Sequence, residues 1–331
     1  MEKTLTGVPI IDISTYLDGT DKLSVAQKVN EACRSIGFLV ISGHGVSKDL
    51  LKRVDTESRL FFALPKNEKM KYAPKGKDHV RGYASVGSEA LSYSLGIETP
   101  PDLKESFSIG PYDFDPGNDY YFRPEAGPHF QENIWPDYPP GYKKTLKTYF
   151  DVISDVACKM MRIFALALDL DENYFDHKID RHISMLRVLN YPAQLSTPAP
   201  NQKRAGAHSD YGSMTIVKLQ EDSSGLEVLN KNKEWVPVPI IPDTFVINIG
   251  DLMAQWTNDQ WVSTLHRVSN PDTEEMRSKD RLSIVFFHQP NYDSVVECLD
   301  TCKSEEEKGK YQPITSGDHL RNKFLRQTTM S

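Results

Sequence analysis

The chain has 331 residues, 39% hydrophobic and 26% charged, with a formal net charge of −7. That composition fits a folded, water-facing protein with ample material for a core, and the acidic balance argues against nucleic acid as the main partner. No window approaches the roughly 20 apolar residues of a membrane helix.

The opening MEKTLTGVPIIDIS lacks a basic-then-apolar signal pattern, so a cytoplasmic location is expected. Four cysteines, Cys33, Cys158, Cys298 and Cys302, are scattered without a CxxC pair. Reduced thiols are expected rather than a disulfide framework. A soft-metal site at Cys298 and Cys302 would lack further nearby ligands.

In chain order, 8–13 (VPIIDI) reads as a short strand. Residues 24–36 carry Val25, Val29, Ala32 and Ile36 at helical spacing. GFLVISGHGV (37–46) sets glycines around an apolar run, as a buried strand and tight turn would. Residues 49–62 read as a second amphipathic helix, stopped near Pro65, which completes a β-α-β-α unit. The stretch 73–140 is rich in Pro, Gly, Tyr and acidic residues, and long loops in a compact domain are usually functional. Its aromatics argue against disorder, so it is expected to form a structured lid. The longest helical pattern is 142–168, with Leu146, Tyr149, Phe150, Ile153, Ala157, Met160, Met161 and Phe164 on its repeat. It reads as a core helix supporting a sheet. From 182 to 290 short, evenly spaced apolar runs suggest an antiparallel sandwich or small barrel. The tail closes with a helix at 317–327, with Leu320, Phe324 and Leu325 on one side.

Chemistry concentrates in the β-rich part. On a strand, residues i and i+2 share a face, so His208-Ser209-Asp210 aims an imidazole and a carboxylate at one point. His266 adds a second imidazole. Two histidines and one carboxylate suit non-haem Fe(II) with open coordination positions, although a surface histidine beside a turn-capping aspartate is the commoner origin of such a pair. Arg281 and Ser283 share a face by the same spacing. A guanidinium fork with a hydroxyl suits a carboxylate. Order and spacing, HxD then H then RxS, make the set specific.

At these residues the chain resembles the isopenicillin-N-synthase-like group of Fe(II)- and 2-oxoglutarate-dependent dioxygenases. PIIDIS, GFLVISGHGV, RGYASVGSE, DLKESFSIG and NIWPDYPPGY are similar to its N-terminal region, and LRVLNYP, AHSDYGSMTIVKLQ, INIGDLMAQWTND, STLHRVSNP and RLSIVFF to its catalytic part. The resemblance implies a mainly β fold, a double-stranded β-helix (jelly-roll) core with flanking helices. Residues 1–140 would form an N-terminal α/β region with lid loops. Residues 141–331 would hold the support helix, the catalytic jelly-roll and the C-terminal helix, all in one integrated unit. It further implies that His208, Asp210 and His266 bind iron, and that Arg281, Ser283 and Tyr191 hold the far carboxylate of 2-oxoglutarate. Leu189 stands where many plant members carry an asparagine. The implied reaction consumes O2 and 2-oxoglutarate, releases succinate and CO2, and abstracts a substrate hydrogen atom. Hydroxylation, desaturation or oxidative cyclisation then follows, with ascorbate a helpful additive in vitro. The expected substrate is a small molecule, secondary or amino-acid-derived, and the expected state a monomer. An iron oxidase of this fold that uses no 2-oxoglutarate is a second reading. A non-catalytic ligand-binding protein is a third, and a zinc hydrolase would leave RxS without a role.

For the substrate pocket the candidates are Arg81 and Tyr83 in the lid, Arg187, which shares a face with Tyr191, Phe287 and His288 after RxS, and Arg321 and Phe324 from the tail. Arg187 is as readily placed in an internal ion pair. His44 reads as a turn residue. His79, His129, His177 and His319 are expected to be exposed. Asp251 reads as a turn residue after a strand.

Overall fold

The computed structural model describes residues 7–76, 79–127, 129–305 and 308–328. Twelve strands among them build two sheets: β1 (Ile10–Asp12), β2 (Phe38–Ser42), β3 (Gly82–Ala84), β4 (Glu105–Ile109), β5 (Met185–Tyr191), β6 (Ala205–His208), β7 (Met214–Leu219), β8 (Leu226–Leu229), β9 (Trp235–Pro237), β10 (Phe245–Ile249), β11 (His266–Val268) and β12 (Arg281–His288). The main sheet has the order β1-β2-β10-β7-β12-β5-β4-β3, and the smaller one the order β6-β11-β8-β9. Among the described residues only β1 and β2 pair in parallel. The sheet-rich architecture with flanking helices is that of a jelly-roll core, as expected.

A period of two sends successive side chains to opposite faces, and the main sheet divides its residues accordingly. Leu39, Ile41, Phe107, Leu186, Val188, Ile216, Ile247, Ile284 and Phe286 enter one large core. Helices α1 (Lys22–Ser35), α2 (Lys48–Phe62) and α3 (Tyr142–Ala167) cover that face. Asp21 caps α1 by accepting from the Ser24 amide, one of the orphan donors at a helix start. Along α3, Leu146, Tyr149, Ile153, Ala157, Met160, Met161 and Phe164 are all buried. Each large apolar side chain there contributes about 1.5–3 kcal/mol. The paired methionines are core, as expected. Val40, Leu189, Tyr191, Val217, Val246 and Val285 point to the other face, where Val228 and Val268 of the smaller sheet meet them. This second face, the pocket face, carries the candidate site residues.

The stretch 73–140, expected to form a lid, is partly sheet. Its strands β3 and β4 extend the main sheet, with Glu105 opposite Asn190 and Tyr83 opposite Phe107. The remainder is held by aromatic contacts among Phe114, Tyr120, Tyr121, Phe130 and Tyr292. Two short helices matter to the site, α4 (Asp251–Trp256) and the C-terminal α5 (Ser316–Thr328). On α5, Leu320 is buried whereas Phe324 and Leu325 are 38% and 55% exposed, so the three do not share one buried stripe. No helix among the described residues is long and apolar enough to cross a membrane.

Candidate metal centre and active site

Strand β6 ends on His208, and Asp210 lies in the connection to β7. The HxD pair therefore does not lie on one strand. The two side chains converge because the chain turns after His208, tied by the Asp251 amide, which donates to the Asp210 carbonyl at 2.8 Å. His266 opens β11 directly opposite His208. The candidate ligand atoms of His208, Asp210 and His266 all lie within 4.8 Å of one another. Asp210 Oδ1 is 3.8 Å from His208 Nε2, and Asp210 Oδ2 is 3.8 Å from His266 Nε2.

The surroundings orient these groups. His208 Nδ1 meets the Gly206 carbonyl at 2.8 Å and His266 Nδ1 the Thr264 carbonyl at 3.2 Å. A carbonyl on Nδ1 leaves the proton there and the Nε2 lone pair free for a metal. Burial, with His266 beside it, holds the His208 imidazole down at about 4. Burial alone would raise the Asp210 carboxyl. The two imidazoles and hydrogen bonds from Thr215 and Asn248 outweigh it and hold that group below its ordinary range. Asn248 Nδ2 donates to Asp210 Oδ2 at 2.7 Å. Two imidazoles that present Nε2 beside a carboxylate make a donor set that fits Fe(II).

Arg281 and Ser283 do share the pocket face of β12, with Tyr191 directly opposite Arg281 on β5. Arg281 is 2% exposed. Its Nη1 donates to Ser283 Oγ at 2.7 Å and its Nε to the Ser224 carbonyl at 3.0 Å, while its guanidinium lies 4.8 Å from the Tyr191 ring centroid. Burial lowers its pKa, Tyr191 acts in the opposite sense, and among the described residues no carboxylate is paired with it. A buried cation without a counter-ion is costly, and a carboxylate ligand supplies what is missing. These residues therefore fit the far carboxylate of 2-oxoglutarate.

The remaining candidates divide by face. Phe287 lies on the pocket face, opposite Thr215 and Met185. Arg187 lies there too, its Nε donating to Ser106 Oγ at 3.2 Å and its Nη2 bonded to Glu89. Burial would raise the Glu89 carboxyl, but Arg187 and Lys104 hold it down at about 2. Arg81 is buried, donating to the His129 carbonyl at 2.8 Å, and burial lowers it to about 10. Gly110 makes room for it, since a Cβ there would stand 2.0 Å from Arg81 Nη2.

Tyr83 and His288 are corrections. Tyr83 points into the helix-covered core, edge-on to Phe61, and donates to Glu105 Oε2 at 2.5 Å. His288 follows the parity of Phe286, not of Phe287, and meets Ser213 Oγ at 2.6 Å behind the sheet. Arg321 is exposed and paired with Asp318, so the tail reaches the site through Phe324, 6.3 Å from the Tyr211 ring, and Lys323, 2.5 Å from Asp251 Oδ2. His129 and His319, expected to be exposed, are 8% and 5% exposed: the start of α5 at Gly317 lies against His129, and His319, on α5 itself, meets Gln255 of α4. Asn248, Thr215, Glu89 and Tyr211 had not been singled out. A lone asparagine inside the apolar run TFVINIG was the one available signal among them.

Comparison with known proteins adds two family matches. Residues 8–138 match the N-terminal region of the non-haem dioxygenases of morphine synthesis, and 183–290 match the 2OG-Fe(II) oxygenase superfamily. A homoarginine-6-hydroxylase of Oryza sativa subsp. japonica is 33% identical over the full length of both chains. A 2-oxoglutarate-Fe(II) type oxidoreductase of Emericella nidulans is 34% identical, covering 96% of this chain and 90% of its own. Among solved structures, a full-length Neurospora crassa protein in complex with alpha-KG superposes with a TM-score of 0.84 at 33% identity, covering 100% of this chain and 98% of that one.

Proposed function

Because the chain belongs to the 2OG-Fe(II) oxygenase superfamily and is an Fe(II)- and 2-oxoglutarate-dependent dioxygenase, we propose that it hydroxylates a small, amino-acid-like substrate, acting as a cytoplasmic monomer. His208, Asp210 and His266 hold the iron, and Arg281, Ser283 and Tyr191 receive the far carboxylate of 2-oxoglutarate. The bound iron and co-substrate supply the oxidation of a C–H bond, with succinate and CO2 as co-products. The observation that carries the assignment is the convergence of the three ligand side chains within 4.8 Å.

The chain's own residues bind and orient. His208 and His266 keep their protons on Nδ1, against backbone carbonyls. Phe287 offers an apolar wall to the substrate. Arg187 and Glu89 stand as an ion pair on the pocket face, and exchanging that pairing would let them take an α-carboxylate and an α-ammonium. Arg81 adds positive potential at the sheet's end. Phe324 and Tyr211 cover the approach and limit water. The amino acid in the name of the rice relative points the same way.

The test is succinate release with Fe(II), 2-oxoglutarate and ascorbate over a panel of amino acids and neutral heterocycles. Zwitterionic amino acids should stimulate turnover, and Glu89→Gln should raise their KM while leaving that of 2-oxoglutarate unchanged. Stimulation by neutral heterocycles alone would overturn the amino-acid assignment.

A further inference from the structure

A second buried arginine stands at the Arg281 end of the pocket. Arg204 immediately precedes β6 and is 3% exposed. Its Nη2 donates to the Lys279 carbonyl at 3.3 Å, two residues before Arg281, and its Nε is buried without a partner. The side chain thus spans from the smaller sheet to the start of β12. Burial and the neighbouring Arg281 guanidinium lower its pKa, while Tyr191 and Asp280 act in the opposite sense. Asp280 is exposed, and its Oδ1 is already occupied by the Ala193 amide at 2.8 Å. Two buried guanidinium groups near enough to interact repel each other and have lost their hydration.

A carboxylate has about four acceptor positions. Arg281, Ser283 and Tyr191 do not exhaust them, and the Arg204 Nε–H is unused. A single anion between the two forks would relieve both the repulsion and the orphaned donor. We propose that Arg204 is a second anchor of 2-oxoglutarate, acting with Arg281 on the far carboxylate and favouring a dicarboxylate over a 2-oxo acid that lacks that group. This rests on the assignment of Arg281 to that carboxylate. The competing role is structural, a tie between β6 and β12 with no part in binding.

The experiment compares 2-oxoglutarate with 2-oxopentanoate, which has the same chain length without the far carboxylate. Dissociation constants are measured by anaerobic calorimetry on Mn(II)-loaded wild type, Arg204→Gln, Arg204→Lys and Arg281→Gln, with melting temperatures alongside. Arg204→Gln should weaken 2-oxoglutarate about tenfold or more and leave 2-oxopentanoate within about twofold, the selectivity expected from losing one charge-assisted hydrogen bond. Arg204→Lys should recover part of the loss and provides a folded variant if glutamine is not tolerated. Equal weakening of both ligands, or unchanged 2-oxoglutarate affinity in a folded variant, overturns the proposal in favour of the structural tie. A selective loss in Arg281→Gln with none at position 204 overturns the proposal alone. No selectivity in either variant overturns the far-carboxylate assignment as well.

Discussion

Asn248→Ala tests how firmly the metal centre is held from behind. Asn248 is 2% exposed on the pocket face of β10, and its Nδ2 lies 2.7 Å from Asp210 Oδ2. That oxygen faces His266, while Asp210 Oδ1 faces His208. The amide therefore fixes the rotation of the carboxylate about its own axis. A hydrogen bond to a charged group contributes about 1.5–3 kcal/mol. Independently, losing a partner of a ligating residue costs about 10–100-fold in metal affinity, which is about 1.4–2.7 kcal/mol. The two routes agree. Asp210 retains its hydrogen bond from Thr215, so the lower half of the range applies, and Fe(II) should bind about 10–30-fold more weakly.

The assay is an anaerobic Fe(II) titration against a competing chelator, with the melting temperature of the metal-free protein measured in parallel. Alanine also leaves a small buried void, so some loss of stability is expected whatever the role of the amide. The metal affinity separates the two effects. If a folded Asn248→Ala binds Fe(II) within about twofold of wild type, the carboxylate is oriented by its neighbours without the amide, and the reasoning from second partners fails.

Two further outcomes concern the helix-covered face. Glu105→Gln breaks a buried pair in which Lys69 Nζ lies 2.7 Å from Glu105 Oε2; the stranded ammonium should cost about 3–5 kcal/mol in urea unfolding, and a loss under about 1 kcal/mol would refute the pairing as drawn. Burial holds the His182 imidazole at about 4, so below pH 6.5 the unfolded chain takes up a proton that the folded one refuses, and stability falls as pH drops toward 4. His182→Phe, filling the same space between Phe150 and Phe286, should shrink the stability lost between pH 7.5 and pH 5 by up to about 2 kcal/mol; an unchanged pH dependence of the melting temperature would remove His182 as its source.

Most of the candidate iron and co-substrate site was legible because its residues sit where local periodicity decides. Arg281 and Ser283 face one way along β12, and Arg187 and Tyr191 along β5, as a two-residue period requires. The HxD pair converged for a different reason from the one local spacing suggested. His208 ends its strand and Asp210 follows in a turn, so the convergence comes from that turn and from the pairing of β6 with β11. The residues misjudged were those whose face depends on distant pairing. Strands β3 and β4 were hidden because Glu105, Ser106 and Ser108 make a fully buried strand look like a polar loop. Without β4, nothing indicated that Tyr83 turns toward the helices. His129 and His319 were misjudged because local polarity says nothing of what packs over a residue. His288 was a different case: the parity that puts Arg281, Ser283 and Phe287 in the pocket excludes it, and that rule was available from the strand alone.

Polarity itself does not distinguish the two faces of the main sheet. The helix-covered face buries Lys69, Glu105, Tyr83 and Asn190, and their contacts close on one another, with Glu105 accepting from the other three. Such a network is complete without a ligand and is expected to matter for stability alone. Across the sheet, Arg187 is neutralised by Glu89, but Arg281 has no acid, and Arg204 beside it has an orphaned donor. Burying an uncompensated cation opposes folding; Asp280 offsets part of that cost at Arg204, whereas Arg281 has no such acid. On the proposed assignment an anion at that position would offset the cost, so the unpaired charge, more than the total of polar groups, is what points to a place for the co-substrate's far end.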